Sequence, residues 1–179
     1  TEANLPAIEE GSKFRGWYYN SGKKVTVGDV INGNTTIQAL VTPIETATVG
    51  SVQTYPLNNS IFYPEDHETI EIAGGSFHDG THGWHFAANG TIKVQVAGNA
   101  VVVVTMCTYS ESGEVVVTDA AGVELGRDSV IKSETADGAT ASFRYAGEPT
   151  TLTIKKNEKA YIHKVVVYNV LNFVEKDEA

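Results

Sequence analysis

GGSFHDGTHGWHFAANGTIKVQVAGNAVVVVTMCTYS, residues 74–110, is the stretch from which the rest of the chain is interpreted. Its first part is rich in Gly, His and Asp and predicts a loop. Two runs rich in β-branched residues follow, Thr91 to Val96 and Ala100 to Cys107, separated by Gly98-Asn99. This order predicts a β-hairpin that is preceded by a loop with polar side chains. We expect any binding chemistry to gather at that loop.

Residue alternation extends the β interpretation along the chain. Ile92, Val94 and Val96 would share one strand face, opposite Lys93 and Gln95. No segment shows helical periodicity. Further strands are predicted at 14–19, 35–41, 60–63, 69–72, 114–119, 139–146, 150–155 and 160–170. The sequence therefore predicts an all-β protein, an antiparallel β-sandwich of jelly-roll type with a small N-terminal β-rich appendage.

Composition shifts and turn signals divide the chain into four parts. Residues 1–45 are predicted as an appendage or spacer and 46–59 as a linker or an outer strand. The sandwich is predicted for 60–170, and the acidic segment 171–179 as the start of a C-terminal linker. The chain begins with Thr1, and we expect it to be a piece of a longer polypeptide.

Charge and composition exclude some classes of partner. The formal net charge is −9, so we expect no nucleic-acid partner, because such proteins need a basic face. No apolar run approaches the roughly 18 to 20 residues of a membrane span, so no membrane partner is expected. No charged n-region followed by an apolar h-region is found, so we expect no signal peptide. Cys107 is the single cysteine, and its apolar surroundings predict a buried thiol.

The N-terminal part resembles the second half of an internalin-type (Listeria–Bacteroides) repeat, a small module of bacterial surface and secreted proteins. The first strand of that repeat is absent here, and Leu40-Val41 replaces its customary Lys-Trp. The resemblance implies a spacer or adhesive role. Within the module, we expect Trp17 and Tyr19 to form the core. The residues that carry the resemblance are Leu5-Pro6, Phe14, Gly16-Trp17-Tyr18, Gly22, Asn32 to Thr36 and Thr42-Pro43.

Aromatic and polar side chains in and around the 74–110 stretch are the equipment of carbohydrate recognition. Sugar CH faces stack on aromatic rings, and sugar hydroxyls need donors and acceptors. Core packing is the alternative for each aromatic, and a buried hydrogen-bonded histidine is the alternative for His163. The candidate carbohydrate-binding residues are Asp79, His82, Trp84, Tyr109, Arg144, Tyr161 and His163.

Metal binding and catalysis are less favoured by the sequence. His78, Asp79, His82 and His85 lie close together in a His-rich tract, which permits a transition-metal hypothesis. If the segment were extended, however, His82 and His85 would lie on opposite faces, so we expect no metal ligand set. No nucleophile elbow or phosphate loop is present. We expect no cofactor, although a structural calcium is a possibility in sandwiches.

The main domain resembles β-sandwich modules appended to bacterial pectin- and xylan-degrading enzymes. The resemblance is carried by His82-Gly83, Thr105 to Ser110, Gly147 to Ile154 and Ala160 to Val167. It implies a non-catalytic carbohydrate-binding module, secreted or on the cell surface. The implied partners are a plant cell-wall polysaccharide and a covalently linked catalytic domain. The alternatives are an adhesion or spacer module, and an unrecognised polysaccharide hydrolase or lyase. If the chain is such a module, Trp84→Ala is expected to abolish polysaccharide retention.

Overall fold

The computed structural model describes residues 7–30, 33–43, 45–109, 112–131, 138–156, 160–171 and 173. Within them no helix is long and apolar enough to cross a membrane. The chain divides into two compact units, Thr1–Glu45 and Thr46–Ala179. The strands are β1 (Ser12–Tyr19), β2 (Ile37–Pro43), β3 (Val52–Tyr55), β4 (Ile70–Asp79), β5 (Gly83–Val96), β6 (Ala100–Thr108), β7 (Ser112–Thr118), β8 (Glu124–Ile131), β9 (Ala139–Tyr145), β10 (Thr150–Lys156) and β11 (Ala160–Asn169).

The first unit is an antiparallel pair of strands, β1 and β2. Phe14 and Trp17 contact edge to face, with ring centroids 5.7 Å apart. Arg15 is buried and donates from Nε to Thr42 Oγ1 at 2.7 Å. Trp17 and Tyr19 are only half-buried, so the expected aromatic core is partial in the described part of this unit. A pair of strands cannot enclose large side chains on both faces.

The second unit is a nine-stranded antiparallel sheet that folds over into two layers. Along the sheet the strands follow the order β8-β7-β10-β5-β11-β6-β9, and β4 and β3 pair with β5 and β11. The long strand β5 joins the layers, because residues 91–96 pair with β10 whereas Trp84 and His85 pair with β11. All the pairings are antiparallel, so the structure confirms the predicted all-β sandwich class.

The sheet folds over at a glycine-lined point around Phe86. The register of β4 against β5 shifts between Ala73 and Gly75. A Cβ at Gly75 or at Gly90 would lie 2.7 Å from the Phe86 side chain, so only glycine lets the ring fit there. Such bulges and glycines bend a strand and allow it to serve two layers.

The core lies between the two layers and follows the predicted alternation. Ile92, Val94 and Val96 all point inward, as expected, and Lys93 and Gln95 point outward. Each fully buried aliphatic side chain contributes roughly 1.5–3 kcal/mol of transfer free energy. The other aliphatic and aromatic residues of this core include Val102, Val104, Met106, Val115, Val117, Ala141, Phe143, Leu152, Ile154, Ile162, Val165 and Val167.

The hairpin predicted for residues 91–107 is wrong. β5 and β6 do not pair with each other: β5 pairs with β4, β10 and β11, and β6 pairs with β9 and β11. The Gly98-Asn99 turn therefore carries the chain from one layer to the other. The buried Asn169 holds this connection, because its Oδ1 accepts from the Ala97 amide at 2.8 Å.

Three other segments differ from the predicted strand pattern. Residues 52–55 form β3 and pair with β11, so of the two alternatives for 46–59 the structure has the strand, and the sandwich begins before Ser60. Residues 60–63 form no strand, and a 3-10 turn follows at Pro64–Asp66. The unpredicted β8 is a polar edge strand, on which Arg127 binds Glu124 and Glu114. Because one face of β8 is exposed, the strand lacks the apolar residues from which a strand can be predicted.

Candidate functional site

A tight turn between β4 and β5 takes the place of the predicted loop. Asp79 ends β4 and folds back on the turn, where its Oδ1 accepts from the amides of Thr81 at 2.9 Å and His82 at 2.7 Å. The Asp79 side chain thus satisfies turn amides that form no hydrogen bonds between strands. Gly83 has φ +79, and a Cβ there would clash with the Ile162 carbonyl oxygen. The turn is therefore pinned against β11 and holds His82 in place.

Five rings meet on the outer face of the sheet beside this turn. Tyr161 lies at their centre, 5.1 Å from Tyr109 in an edge-to-face contact at 88°. The three histidine rings have centroids 5.0–5.9 Å from that of Tyr161. We name these residues the outer-face cluster: His78, His82, His85, Tyr109 and Tyr161.

The cluster joins four separate parts of the chain. The register places Tyr161 opposite His85 on β5 and opposite Cys107 on β6. The next residue, Ile162, points into the core, so Tyr161 and His85 face outward. His78 lies near the end of β4, and Tyr109 directly follows β6.

The Asp79 carboxylate is hydrogen-bonded to His82. The carboxylate lies 2.8 Å from His82 Nδ1, and this hydrogen bond is the main reason why the pKa of Asp79 lies below its usual value. The Tyr109 hydroxyl lies 2.5 Å from the same nitrogen. In a neutral His82 imidazole, Nδ1–H would donate to the ionised Asp79 carboxylate, the stronger acceptor, and Nε2 would carry the lone pair.

Tyr109 and His85 are neutral at physiological pH. Desolvation, with the Asp79 charge as a further cause, raises the pKa of Tyr109. Desolvation, Lys156 and His78 together lower the pKa of His85, in that order of size. A neutral imidazole both donates and accepts, as does a phenol. The cluster therefore presents aromatic faces and hydrogen-bonding groups around one carboxylate.

Four of the seven candidate residues from the sequence meet here: Asp79, His82, Tyr109 and Tyr161. Tyr109 is 48% exposed, so its side chain is accessible to a ligand. His78 and His85 belong to the same cluster and were not among the candidates. Sequence reasoning placed His82 and His85 on opposite faces by assuming an extended segment. His82 lies in the turn, so both rings contact Tyr161.

Trp84 lies on the other side of the sheet. Its register partner is Ile162, and its side chain packs against the core, with the Phe86 ring centroid 6.2 Å away. The indole Nε1 is buried and has no hydrogen-bond partner among the residues that the structure describes. This placement does not favour the expected stacking platform at Trp84.

Arg144 and His163 also lie outside the cluster. Arg144 pairs with Val101 at the far end of β6, roughly 20 Å from Cys107 at the usual rise per residue. Its guanidinium lies 3.7 Å from the ring centroid of Phe173. His163 is 2% exposed, with Nε2 3.1 Å from Cys107 Sγ, so it cannot touch a ligand in this structure.

Three side chains of the turn could together hold a metal ion. Ligand atoms of His78, Asp79 and His82 lie within 4.8 Å of one another, the one such group of three among the residues that the structure describes. This convergence differs from the sequence-based expectation of no metal ligand set. Calcium prefers six to eight oxygen donors, which two imidazoles and one carboxylate do not supply. The structural calcium stays a prediction.

No protein-family model matches the chain, and neither does any curated protein. The internalin-type repeat therefore stays an expectation. Among solved structures, the chain is similar to a C-terminal CBM6 of a laminarinase from Zobellia galactanivorans. The identity is 11%, the TM-score is 0.42, and the match covers 66% of this chain and 99% of that one.

Two further similar structures are carbohydrate-binding modules. For one from Cellvibrio mixtus lichenase 5A, in complex with cellotriose, the identity is 12%, the coverage 68% and 98%, and the TM-score 0.42. For a CBM35 from Paenibacillus barcinonensis, the identity is 12% and the TM-score 0.44, and the match covers 66% of this chain and 98% of that one. TM-scores below 0.5 at such identities carry no argument about a ligand, so the fold rests on the sheet pairing above.

Proposed function

We propose that the chain is a non-catalytic carbohydrate-binding module and that the outer-face cluster is its binding site. The observation that carries this proposal is the exposed Tyr109 ring beside the polar groups of His82, His78 and Asp79. A pyranose ring has an apolar CH face and a rim of hydroxyls, so it needs such a combination. The similarities reported above have no part in this proposal.

The geometry fits a shallow surface site. Tyr109 would stack on one sugar ring, because its edge-to-face contact with Tyr161 and its bond to His82 hold its orientation. His82 Nε2 would accept a hydrogen bond from a sugar hydroxyl, and His85 would donate to one hydroxyl or accept from another. Such a site gives affinities from about millimolar to micromolar, or roughly −4 to −8 kcal/mol.

We further propose a plant cell-wall polysaccharide, neutral and of xylan type, ahead of a pectic acid. The ionised Asp79 within the cluster would repel a uronate, and the formal net charge of −9 acts in the same direction. A pectic acid would need basic side chains near the cluster. Lys156 is one such side chain, since its charge helps to lower the pKa of His85. Lys132 and Lys159 lie outside the described residues. A covalently linked degrading enzyme and a secreted or cell-surface location belong to the same proposal.

The test is native affinity electrophoresis of the full chain against xylan, homogalacturonan, esterified pectin, glucomannan and β-glucan. Tyr109→Ala should weaken retardation about ten-fold or more, since burying an aromatic ring is worth roughly 1.5–3 kcal/mol. Tyr168→Ala is the matched control: Tyr168 is 41% exposed at the opposite end of β11. Its removal should leave retardation unchanged.

Three outcomes would contradict the proposal. Absence of retardation by every polymer, with a protein partner recovered instead, would favour the adhesion or spacer module. Release of sugars from any polymer would favour a hydrolase or lyase. Equal effects of Tyr109→Ala and Tyr168→Ala would show that the cluster is not the binding site.

A further inference from the structure

The carboxylate of Asp79 lies between two imidazoles. Its Oδ2 is 3.5 Å from His78 Nε2 and 2.9 Å from His82 Nδ1. One ligand atom from each of the three residues falls within 4.8 Å of the others. Carbohydrate recognition uses these groups one at a time and does not require that their donor atoms converge on a point.

From this convergence we infer that His78, Asp79 and His82 bind a divalent transition-metal ion, for which Zn²⁺ is the suitable probe. Two imidazole nitrogens and a carboxylate oxygen are ligands that zinc uses in proteins. Zinc on His82 Nδ1 takes the place of the proton shared with Asp79, and the neutral ring then carries its proton on Nε2. The inference goes beyond the proposed function, because a sugar site needs no metal.

The donor spacing is close to what zinc requires. Zinc–ligand bonds of about 2.0–2.2 Å at tetrahedral angles place the ligand atoms about 3.3 Å apart. The distance between His78 Nε2 and Asp79 Oδ2 already matches, and the widest separation must shorten by roughly 1.5 Å at most. The His78 side chain is 47% exposed and can rotate to supply this movement.

The other two ligands are held by the turn. Backbone amides of Thr81 and His82 fix the Asp79 carboxylate, and Gly83 is pinned against β11. A site with two prearranged ligands loses less conformational entropy when the ion binds. Three protein ligands leave a fourth zinc position for water or another ligand.

The experiment uses the full chain, freed of metal with a chelator and titrated with ZnCl₂ in a calorimeter. His78→Ala and His82→Ala should each lower zinc affinity by roughly 100-fold or more, since even outer-shell partners of a metal are worth about 10- to 100-fold. Asp79→Asn should also weaken binding, while its amide oxygen can still accept from the turn amides. Ring-proton NMR shifts of the histidines identify which imidazoles bind.

His85→Ala is the matched control. His85 contacts Tyr161 in the same cluster but is not one of the three converging residues. One zinc ion per chain, lost in the His78 and His82 variants and kept in His85→Ala, supports the inference. No saturable uptake, or equal loss in all the histidine variants, overturns it.

The zinc and polysaccharide results stay separable. Circular dichroism of each metal-free variant shows whether it folds, and the NMR shifts follow zinc independently of any sugar. Polysaccharide retardation is measured on the metal-free chain. Failure of zinc binding with retardation intact rejects the metal site alone, and the reverse result rejects the proposed function alone.

Discussion

Gly83→Ala tests how the functional turn is held on the sandwich. Gly83 has φ +79, and a Cβ there would meet the Ile162 carbonyl oxygen and lie 2.9 Å from His163 Cα. The obstructing atoms belong to the backbone of β11, which pairs with β6 on its other side and cannot move aside. We therefore expect β5 to be displaced from β11 in this variant.

The expected loss of stability has two parts. The left-handed conformation costs a residue with a Cβ about 1–2 kcal/mol, of which about 0.4–1 kcal/mol is returned through the less flexible unfolded chain. Displacing β5 also loosens the pairing of Trp84 and His85 with β11, whose hydrogen bonds contribute about 0.5–1.5 kcal/mol each. We expect the free energy of unfolding to fall by about 3 kcal/mol in all.

Variants of two other glycines distinguish the cost of the left-handed backbone conformation from the cost of the steric clash. Gly122 has φ +82, and a Cβ added there would meet no atom within 4 Å, so Gly122→Ala should cost only about 1 kcal/mol. Gly80 lies in the same turn as Gly83, and its Cβ would make an ordinary 3.6 Å contact with Asn58 O, so Gly80→Ala should change stability by less than about 0.5 kcal/mol.

The assay is urea unfolding followed by Trp84 fluorescence in a Trp17→Phe background, since the chain has two tryptophans, one in each unit. A loss of stability in Gly83→Ala no greater than that in Gly122→Ala would refute the collision with β11. Unchanged zinc or polysaccharide binding in Gly83→Ala, together with lower stability, would also refute the role of this contact in holding His82.

Two further predictions concern buried groups. Trp84→Ala should lower the free energy of unfolding by about 3 kcal/mol, because the indole packs against the core, while the folded fraction keeps its polysaccharide retardation. Loss of polysaccharide retardation in fully folded Trp84→Ala would contradict this prediction and would indicate that Trp84 belongs to the binding site. Burial raises the pKa of the Cys107 thiol to about 11, so at pH 8 about one molecule in a thousand carries a thiolate. Reaction with a thiol reagent should be slow in the native chain, faster about ten-fold per pH unit below that pKa, and immediate in urea. Fast labelling of the native chain at pH 8 would contradict this.

Strand positions could be predicted well from the sequence. Alternation in Ile92, Val94 and Val96 reflects a local period of two residues, and the inward face is simply the apolar one. The polar edge strand β8 could not be predicted in this way, because an exposed strand needs no apolar face. The glycine-rich start of β5 has the composition of a loop, because glycines that permit a bend also weaken the strand signal.

Four of the six residues of the candidate site could also be anticipated. Asp79, His82, Tyr109 and Tyr161 are candidates because of the chemistry of their side chains, and they meet on one face. Trp84 is a candidate on the same grounds and lies on the other face. Residue type indicates what a side chain can do, but not which side of a sheet it occupies when a turn interrupts the alternation.

Local pattern thus accounted for the all-β class, the core faces and the chemical character of the 74–110 stretch, because these depend on neighbours within a few residues. The pairing of strands depended on the folded chain. Residues 91–96 of β5 are separated from β6 by a short turn and yet lie in the other layer, while Tyr161 meets His82 and Tyr109 from distant positions in the sequence. Hydrogen bonding between strands and burial of two apolar faces are long-range, cooperative choices, and no local period encodes them.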